Sequence, residues 1–554
     1  MSHILKPPCD EAVIQAAPEQ LSKDVKKATL AESVSSQGHT GTWVLVATIL
    51  GSSMAFIDGT VVNVALPVLQ TDLHATATNV QWVVEAYSLF LAALILVGGS
   101  LGDHYGRRRI YAIGIILFTL ASVICGLAPN VNVLIIARAF QGVGGALLVP
   151  GSLAIISASF DTKHRGRAIG TWSGFTAITS AVGPVLGGLL VQYASWRWVF
   201  YINVPLAIIV LLVLFWRVPE SRNEALGEHA RLDWPGAILA TLGLGGIVFG
   251  LIESNDLGFG NSLVLLSLAI GVVALLAFVL VEARSHSPML PLTLFRSRTF
   301  SGANVLTFLL YAALGASLFF LPFNLIRVQG YTPTEAGAAN LPLILLMFFL
   351  SRWSGGLVTR YGAKLPLIIG PLIAAAGFAL FAVPGIGGSY WTTYFPAVVV
   401  LGIGMAVSVA PLTTAVMGSV DQQYIGTASG VNNAVSRTAG LIAIAVFGII
   451  VLAVFSSSLA SHLSAVPVPA GVHQALIEQQ NKLVGIEIPM DVSTGTHAAL
   501  QQAIADSFIT SFRVIMLLAS FLALCSSLSS LLLIEGKPPQ PPQAATKAPD
   551  GDHI

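Results

Sequence analysis

Gly99-Ser100-Leu101-Gly102-Asp103-His104-Tyr105-Gly106-Arg107-Arg108-Arg109 lies between two long apolar stretches. Its small, polar and basic residues read as a short loop joining two membrane helices. A partial copy follows 256 residues later, Gly355-Gly356-Leu357-Val358-Thr359-Arg360-Tyr361-Gly362-Ala363-Lys364, with glycines, leucine, tyrosine and the last basic residue in register. Gly170-Thr171-Trp172-Ser173-Gly174 returns at the same offset as Gly426-Thr427-Ala428-Ser429-Gly430. Two echoes at one offset imply a duplicated half, and internal repeats of this kind are a transporter architecture with substrate held between the halves.

The surrounding composition agrees. The chain has 554 residues, 55% hydrophobic and 10% charged, with mean hydropathy +0.80, against about 25% charged in soluble domains. An integral, all-α polytopic membrane protein is expected. Its net charge of +1 argues against nucleic acid as a partner. Cys9, Cys125 and Cys525 fit no metal or disulfide spacing. There is no phosphate-binding Gly-Lys loop, metal-ligand cluster or nucleophile motif, so an enzyme and direct use of ATP are not expected.

A span needs about 20 mostly apolar residues. The pattern predicts fourteen, near 43–66, 80–101, 110–128, 132–156, 168–192, 198–218, 235–253, 261–283, 300–325, 336–358, 365–384, 391–418, 430–456 and 508–534. An even count puts both termini on one side. With that side cytoplasmic, twenty Lys/Arg fall inside and three (Arg197, Arg327, Lys482) outside, a clear positive-inside bias. The polar start of the chain lacks a signal-peptide core.

The predicted organisation is a cytoplasmic tail 1–42, a six-helix half 43–218, and a linker 219–299 carrying an inserted two-helix hairpin. A second six-helix half, 300–534, follows and includes an outside loop 457–507, partly helical around 474–484. A Pro-rich tail 535–554 ends the chain. The two extra helices explain the long repeat offset.

Ionisable groups at membrane depth are functional hypotheses by default. Asp58, Glu85 and Arg138 fall at similar depths on the first, second and fourth spans and are expected to form one cluster. A carboxylate whose distance to an arginine changes between two states binds a proton in one and releases it in the other. Candidate walls of a substrate cavity are Trp82, Tyr87, Trp172, Asn304, Phe308, Tyr311, Asn433 and Arg437, since such cavities combine aromatic surface with few polar anchors.

These segments resemble a known family. The Gly99–Arg109 loop resembles the signature loop of the major facilitator superfamily. Asp58-Gly59-Thr60-Val61-Val62-Asn63-Val64-Ala65-Leu66-Pro67 is similar to the first-span motif of its fourteen-span drug:proton antiporters. Arg138-Ala139-Phe140-Gln141-Gly142-Val143-Gly144-Gly145 resembles the fourth-span motif, Gly183-Pro184-Val185-Leu186-Gly187-Gly188 the antiporter motif, and Trp196–Pro205 the approach to the sixth span.

The resemblance implies a major facilitator fold and proton-coupled export of amphipathic compounds or drugs, powered by the proton gradient without a cofactor. Arg138 would take part in coupling. Asp103, with Arg107 or Arg108, would make cytoplasmic gate contacts, and Gly99 and Gly106 would permit the turn and close helix approach. Gly183, Pro184, Gly187 and Gly188 would form a hinge or seal. His104 stands where the family usually has Arg, and Thr359 replaces the acidic residue in the second copy. The expected setting is the cytoplasmic membrane, as a monomer; a periplasmic adaptor at 457–507 is an open question. A dedicated exporter of one metabolite or antibiotic is the alternative, and a membrane sensor on a transporter scaffold a remote one.

Overall fold

The computed structural model describes residues 11–536 apart from 161, 223–232, 286–287, 422–423, 465, 467, 469 and 490–491. Among the described residues, fourteen helices are long and apolar enough to cross a membrane. They are α1 (Gly41–Asp72), α2 (Ala77–Tyr105), α3 (Arg107–Leu127), α4 (Val131–Ser159), α5 (Ala168–Tyr193), α6 (Trp198–Arg217), α7 (Trp234–Leu257) and α8 (Ser262–Arg284). The rest are α9 (Arg298–Val328), α10 (Pro333–Ser351), α11 (Lys364–Phe381), α12 (Phe395–Gly418), α13 (Thr427–Ser464) and α14 (Thr494–Leu533).

Local chemistry sets the boundaries. Thr76 and Asn79 form a reciprocal capping box that starts α2, Asn130 caps α4, Asp233 caps α7 and Ser297 caps α9. Each satisfies N–H groups that a helix start leaves open. α2 and α3 are separated by Gly106 alone, at φ +108°, a conformation side-chain-bearing residues rarely adopt.

Helices α1–α6 pack chiefly among themselves, as do α9–α14. α7 and α8 pair with each other, and α7 fills the groove between α2 and α13. Leu89 and Ala93 of α2, Leu244, Val248 and Ile252 of α7, and Leu441 and Ala445 of α13 form one apolar cluster there. α8 is 17% buried at a mean hydropathy of 3.1. That combination makes α8 a lipid-facing helix.

The helices run past two of the predicted boundaries. The first span read from residue 43 is Gly41–Asp72, and the helix that carries it begins earlier, at Glu11; residues 1–10 of the tail lie outside the described residues. The segment 457–507 is largely helix: α13 runs to Ser464, a short helix spans Ala470–Glu478, a 3-10 turn spans Gln480–Gly485, and α14 starts at Thr494 behind the cap Ser493. Polar residues such as Ser456–Ser458 stop an apolar count but not a helix, which continues past the bilayer where caps and propensity allow. In the linkers, 223–232 with Arg231 and 286–287 lie outside the described residues, as does the tail beyond Gly536 with Lys537 and Lys547.

Candidate functional site

The site is built on α4. A Cβ on Gly142 would overlap the Tyr87 carbonyl of α2, and one on Gly144 would lie 2.5 Å from the Phe118 nitrogen of α3. These glycines let α4 approach both neighbours along its length, as small residues do in membrane packing. One turn earlier Arg138, 1% exposed, is the largest fully buried side chain described.

Arg138 Nη1 lies 2.5 Å from Asp58 Oδ2 of α1. The same nitrogen donates to Gln141 Oε1 at 2.8 Å, and Arg138 Nε donates to the Val83 carbonyl of α2 at 2.9 Å. Gln141 Nε2 donates to the other carboxylate oxygen, Asp58 Oδ1, at 2.7 Å. The guanidinium carbon stands 4.3 Å from the centre of the Tyr87 ring and 5.9 Å from that of Phe200, within cation–π range. Beyond Gln141 the network continues to Ser122 of α3, which accepts from Asn203 Nδ2 at 2.9 Å and donates to the Phe200 carbonyl at 2.8 Å. Asp58, Gln141, Ser122 and Asn203 are all fully buried.

A buried ion pair is tolerable only when its remaining lone pairs and protons find partners, and here Gln141 serves both members. Loss of the Asp58 charge would leave Arg138 with neutral acceptors and a ring face, and α1 without its charged tie to α4. The charge on Asp58 therefore bears directly on how α1 packs against α4.

Glu85, expected in the same cluster, is not part of it. It is fully buried, and neither carboxylate oxygen has a partner. It sits one turn from Gln81 and from Leu89, which both meet α13: Gln81 Nε2 donates to the Ile444 carbonyl at 3.2 Å, and Leu89 joins Leu441. Equal depth placed it beside Asp58 in the sequence reading. Its helix face sends it toward the other six-helix group instead.

The loop after α2 closes on itself and on the end of α6. Arg107 pairs with Asp103 at 2.7 Å. Glu220 accepts from the backbone nitrogens of Arg108 at 2.9 Å and Arg109 at 3.2 Å, an anion seated on the first turn of α3. Arg108 Nη1 donates to the Val218 carbonyl at 2.9 Å. A Cβ on Gly106 would lie 2.8 Å from Glu220 Cδ, so this glycine is required by both φ and space. The close helix approach expected of Gly99 belongs to Gly98, whose Cβ would overlap the Ala146 carbonyl; Gly99 meets only Pro150 Cβ at 3.6 Å. One position around the helix separates the two faces.

The glycines of α5 face two ways. A Cβ on Gly183 would overlap Thr60 Oγ1, and one on Gly187 would lie 3.0 Å from the Val61 carbonyl, both on α1. One on Gly188 would overlap the Pro333 carbonyl of α10, and one on Gly337 of α10 would overlap the Pro184 carbonyl. α5 is thus wedged between α1 and the other six-helix group at the end opposite the Asp103 loop.

The residues expected around a substrate cavity divide. Trp82 Nε1 donates to Glu253 at 2.8 Å and its ring lies 5.9 Å from Phe249, tying α2 to α7. Trp172 Nε1 donates to Ser52 at 3.0 Å, tying α5 to α1. Tyr87 packs on Arg138, and Arg437 of α13 is within electrostatic reach of Tyr87. Asn304 accepts from Asn432 at 3.2 Å, while the neighbouring Asn433 is exposed and bonds only within its helix. Phe308 and Tyr311 are part-buried against the core. Sequence reasoning did not assign roles to Gln141, Ser122, Asn203 or Glu220. Gln141, three residues after Arg138, carried a signal, because that spacing puts both on one helix face.

Fourteen membrane helices, two packed groups of six and a buried carboxylate–guanidinium pair in one of them define a polytopic membrane protein of transporter type. The chain belongs to the Major Facilitator Superfamily, whose family model matches residues 48–444. It is 37% identical over 436 residues to the multidrug resistance protein Stp of Mycobacterium tuberculosis, covering 77% of this chain and 79% of that one. It is 31% identical over 501 residues to the tetracenomycin C resistance and export protein of Streptomyces glaucescens, covering 89% and 92%. Among solved structures, a bacterial homolog of the human lysosomal transporter Spinster, inward-facing and occupied, aligns with a TM-score of 0.64 at 18% identity, over 90% of this chain and 98% of that one. The last likeness concerns the fold alone.

Proposed function

We propose that this protein is a proton-coupled antiporter that exports small amphipathic compounds across the cytoplasmic membrane by alternating access. Residues 43–218 and 300–534 are its two moving bodies and 219–299 an inserted spacer. The observation that carries the reading is the buried Asp58–Arg138 pair, bridged by Gln141. The names of the relatives support a drug-like cargo, and the twenty-to-three bias of basic residues supports cytoplasmic termini with the Asp103 loop on that side.

The coupling follows from connectivity. A proton on Asp58 cancels the charge that Arg138 holds, and α1 loses its tie to α4. α1 carries α5 through the Gly183 and Gly187 contacts, and α5 meets α10 at Gly188 and Gly337. Those last contacts lie across the outer face between the two bodies. Protonation deep in one half therefore loosens the outer seal, and release of the proton restores it. Asp103 and Arg107, with Glu220 holding the start of α3, form the cytoplasmic counterpart.

The test is efflux from cells making the protein, over a compound panel, with and without a protonophore. Protonophore-sensitive efflux of several unrelated amphipathic compounds is expected. Protection against a single compound turns the reading to a dedicated exporter, and movement of none, in cells or proteoliposomes, overturns it.

A further inference from the structure

The inserted hairpin is fastened at its base, at the end of the molecule that carries the Asp103 loop. Trp82 near the start of α2 meets Glu253 near the end of α7, so the start of α7 lies toward the end of α2. There Asp233, the cap of α7, meets Glu282 in the last turn of α8. Asp233 Oδ1 accepts from the Gly236 nitrogen at 2.9 Å. Glu282 Oε2 accepts at 3.0 Å from the nitrogen of Leu290, in the segment that leads into α9. Each carboxylate thus has one oxygen on a backbone donor. The other two, Asp233 Oδ2 and Glu282 Oε1, are buried and have no donor. Both converge over Gly236, 2.9 and 2.8 Å from where its Cβ would stand, and the two carboxyls are in hydrogen-bond contact. Glu282 is 3% exposed.

Two carboxylates in contact and out of water do not both stay ionised without a positive charge between them. Among the described residues none supplies it, and Asp233 is the one charged group that acts on Glu282. Arg284, Arg296 and Arg298 are exposed. On α2, Arg107 is taken by Asp103 and His104 turns back to the Ser100 carbonyl; on α13, Arg437 acts on Tyr87. A hard metal ion needs several more oxygens, whereas the backbone here presents the N–H groups of Gly236, Met289 and Leu290. A proton needs only the two oxygens at hand.

We propose that Asp233 and Glu282 form a second proton-binding site, in which one shared proton joins Asp233 Oδ2 to Glu282 Oε1. With the proton in place the ends of α7 and α8 close on each other and Glu282 holds Leu290, so the hairpin is latched to the lead-in of α9. When the proton leaves to water the two like charges repel, the base opens, and Leu290 loses its acceptor. The closed base holds one proton more than the open one, so the latch weakens as pH rises, by up to about tenfold per pH unit. The site lies on helices other than those of Asp58, and it makes the hairpin a pH-responsive element as well as a spacer.

The test is backbone hydrogen–deuterium exchange at Met289 and Leu290 in the purified full chain, from about pH 5.5 to about pH 8.5. The Glu282→Gln variant places an amide N–H where the shared proton would lie and keeps an oxygen for Leu290. Comparing it with wild type at each pH cancels the intrinsic exchange rate and the titration of Asp58. Wild type should match the variant at the acid end and exchange at least about tenfold faster at the alkaline end. Glu282→Ala should expose Leu290 at every pH. A ratio of wild type to Glu282→Gln that does not change with pH overturns the shared proton. So does a slowing of wild-type exchange by about 1 mM Mg²⁺ or Ca²⁺ that Glu282→Gln abolishes, since the occupant is then a metal ion. If Glu282→Gln fails to fold, Asp233→Asn, which still caps α7 and also supplies an N–H, carries the same comparison.

Discussion

Asp58→Asn is the sharpest perturbation the geometry offers. The carboxylate accepts from Arg138 on one oxygen and from Gln141 on the other, at 2.5 and 2.7 Å. An asparagine there has one acceptor and one donor. With its oxygen toward Arg138 its NH₂ meets the Gln141 NH₂; turned over, its NH₂ meets the guanidinium. Gln141 cannot flip to help, because its own oxygen accepts from Arg138. A donor faces a donor in each arrangement, and Arg138 stays buried without its counter-ion, a loss of about 3–5 kcal/mol. Arg138→Met in the same chain removes the stranded charge and should recover most of that loss. Equilibrium unfolding in mixed micelles measures the cycle. For coupling, an imposed pH difference of about one unit is worth about 1.4 kcal/mol per proton, a tenfold accumulation. Wild-type proteoliposomes should reach at least that ratio and Asp58→Asn should stay at unity, while still exchanging labelled for unlabelled substrate. If Asp58→Asn accumulates substrate as wild type does, Asp58 is not the coupling carboxylate. If it unfolds at the wild-type midpoint, the pair does not hold α1 to α4.

Glu85→Met removes two buried oxygens that have no partner and should raise unfolding stability by about 1–3 kcal/mol; a fall would mean that the carboxylate has a ligand. Gly106→Ala meets both φ +108° and Glu220 Cδ at 2.8 Å, and should cost at least about 1–2 kcal/mol, with Glu220→Ala relieving the steric part only. Gly188→Ala should wedge α5 off α10 and raise cysteine labelling from the outer face. Gly170→Ala, where a Cβ meets nothing within 4 Å, should leave labelling unchanged and the helix slightly more stable, by up to about 1 kcal/mol.

The fold was legible because the bilayer imposes it: apolar length counts spans, and the repeat offset leaves two of them without an echo. Asp58 and Arg138 were legible for a related reason, since a charge at membrane depth has few explanations. What stayed hidden depended on helix phase and on the far partner. Glu85 shares the depth of Asp58, but its helix face turns it toward α13. Gly98 and Gly99 differ by one residue, and only one of them meets α4. Glu220 is an ordinary residue in an exposed linker until the first turn of α3 arrives against it. Gln70 and Gln81 show the limit most clearly. Their partners are two backbone carbonyls, Lys482 and Ile444, more than 360 residues away. Sequence periodicity reports the environment a residue's own helix prefers, whereas a site between two helix groups is set by which faces meet.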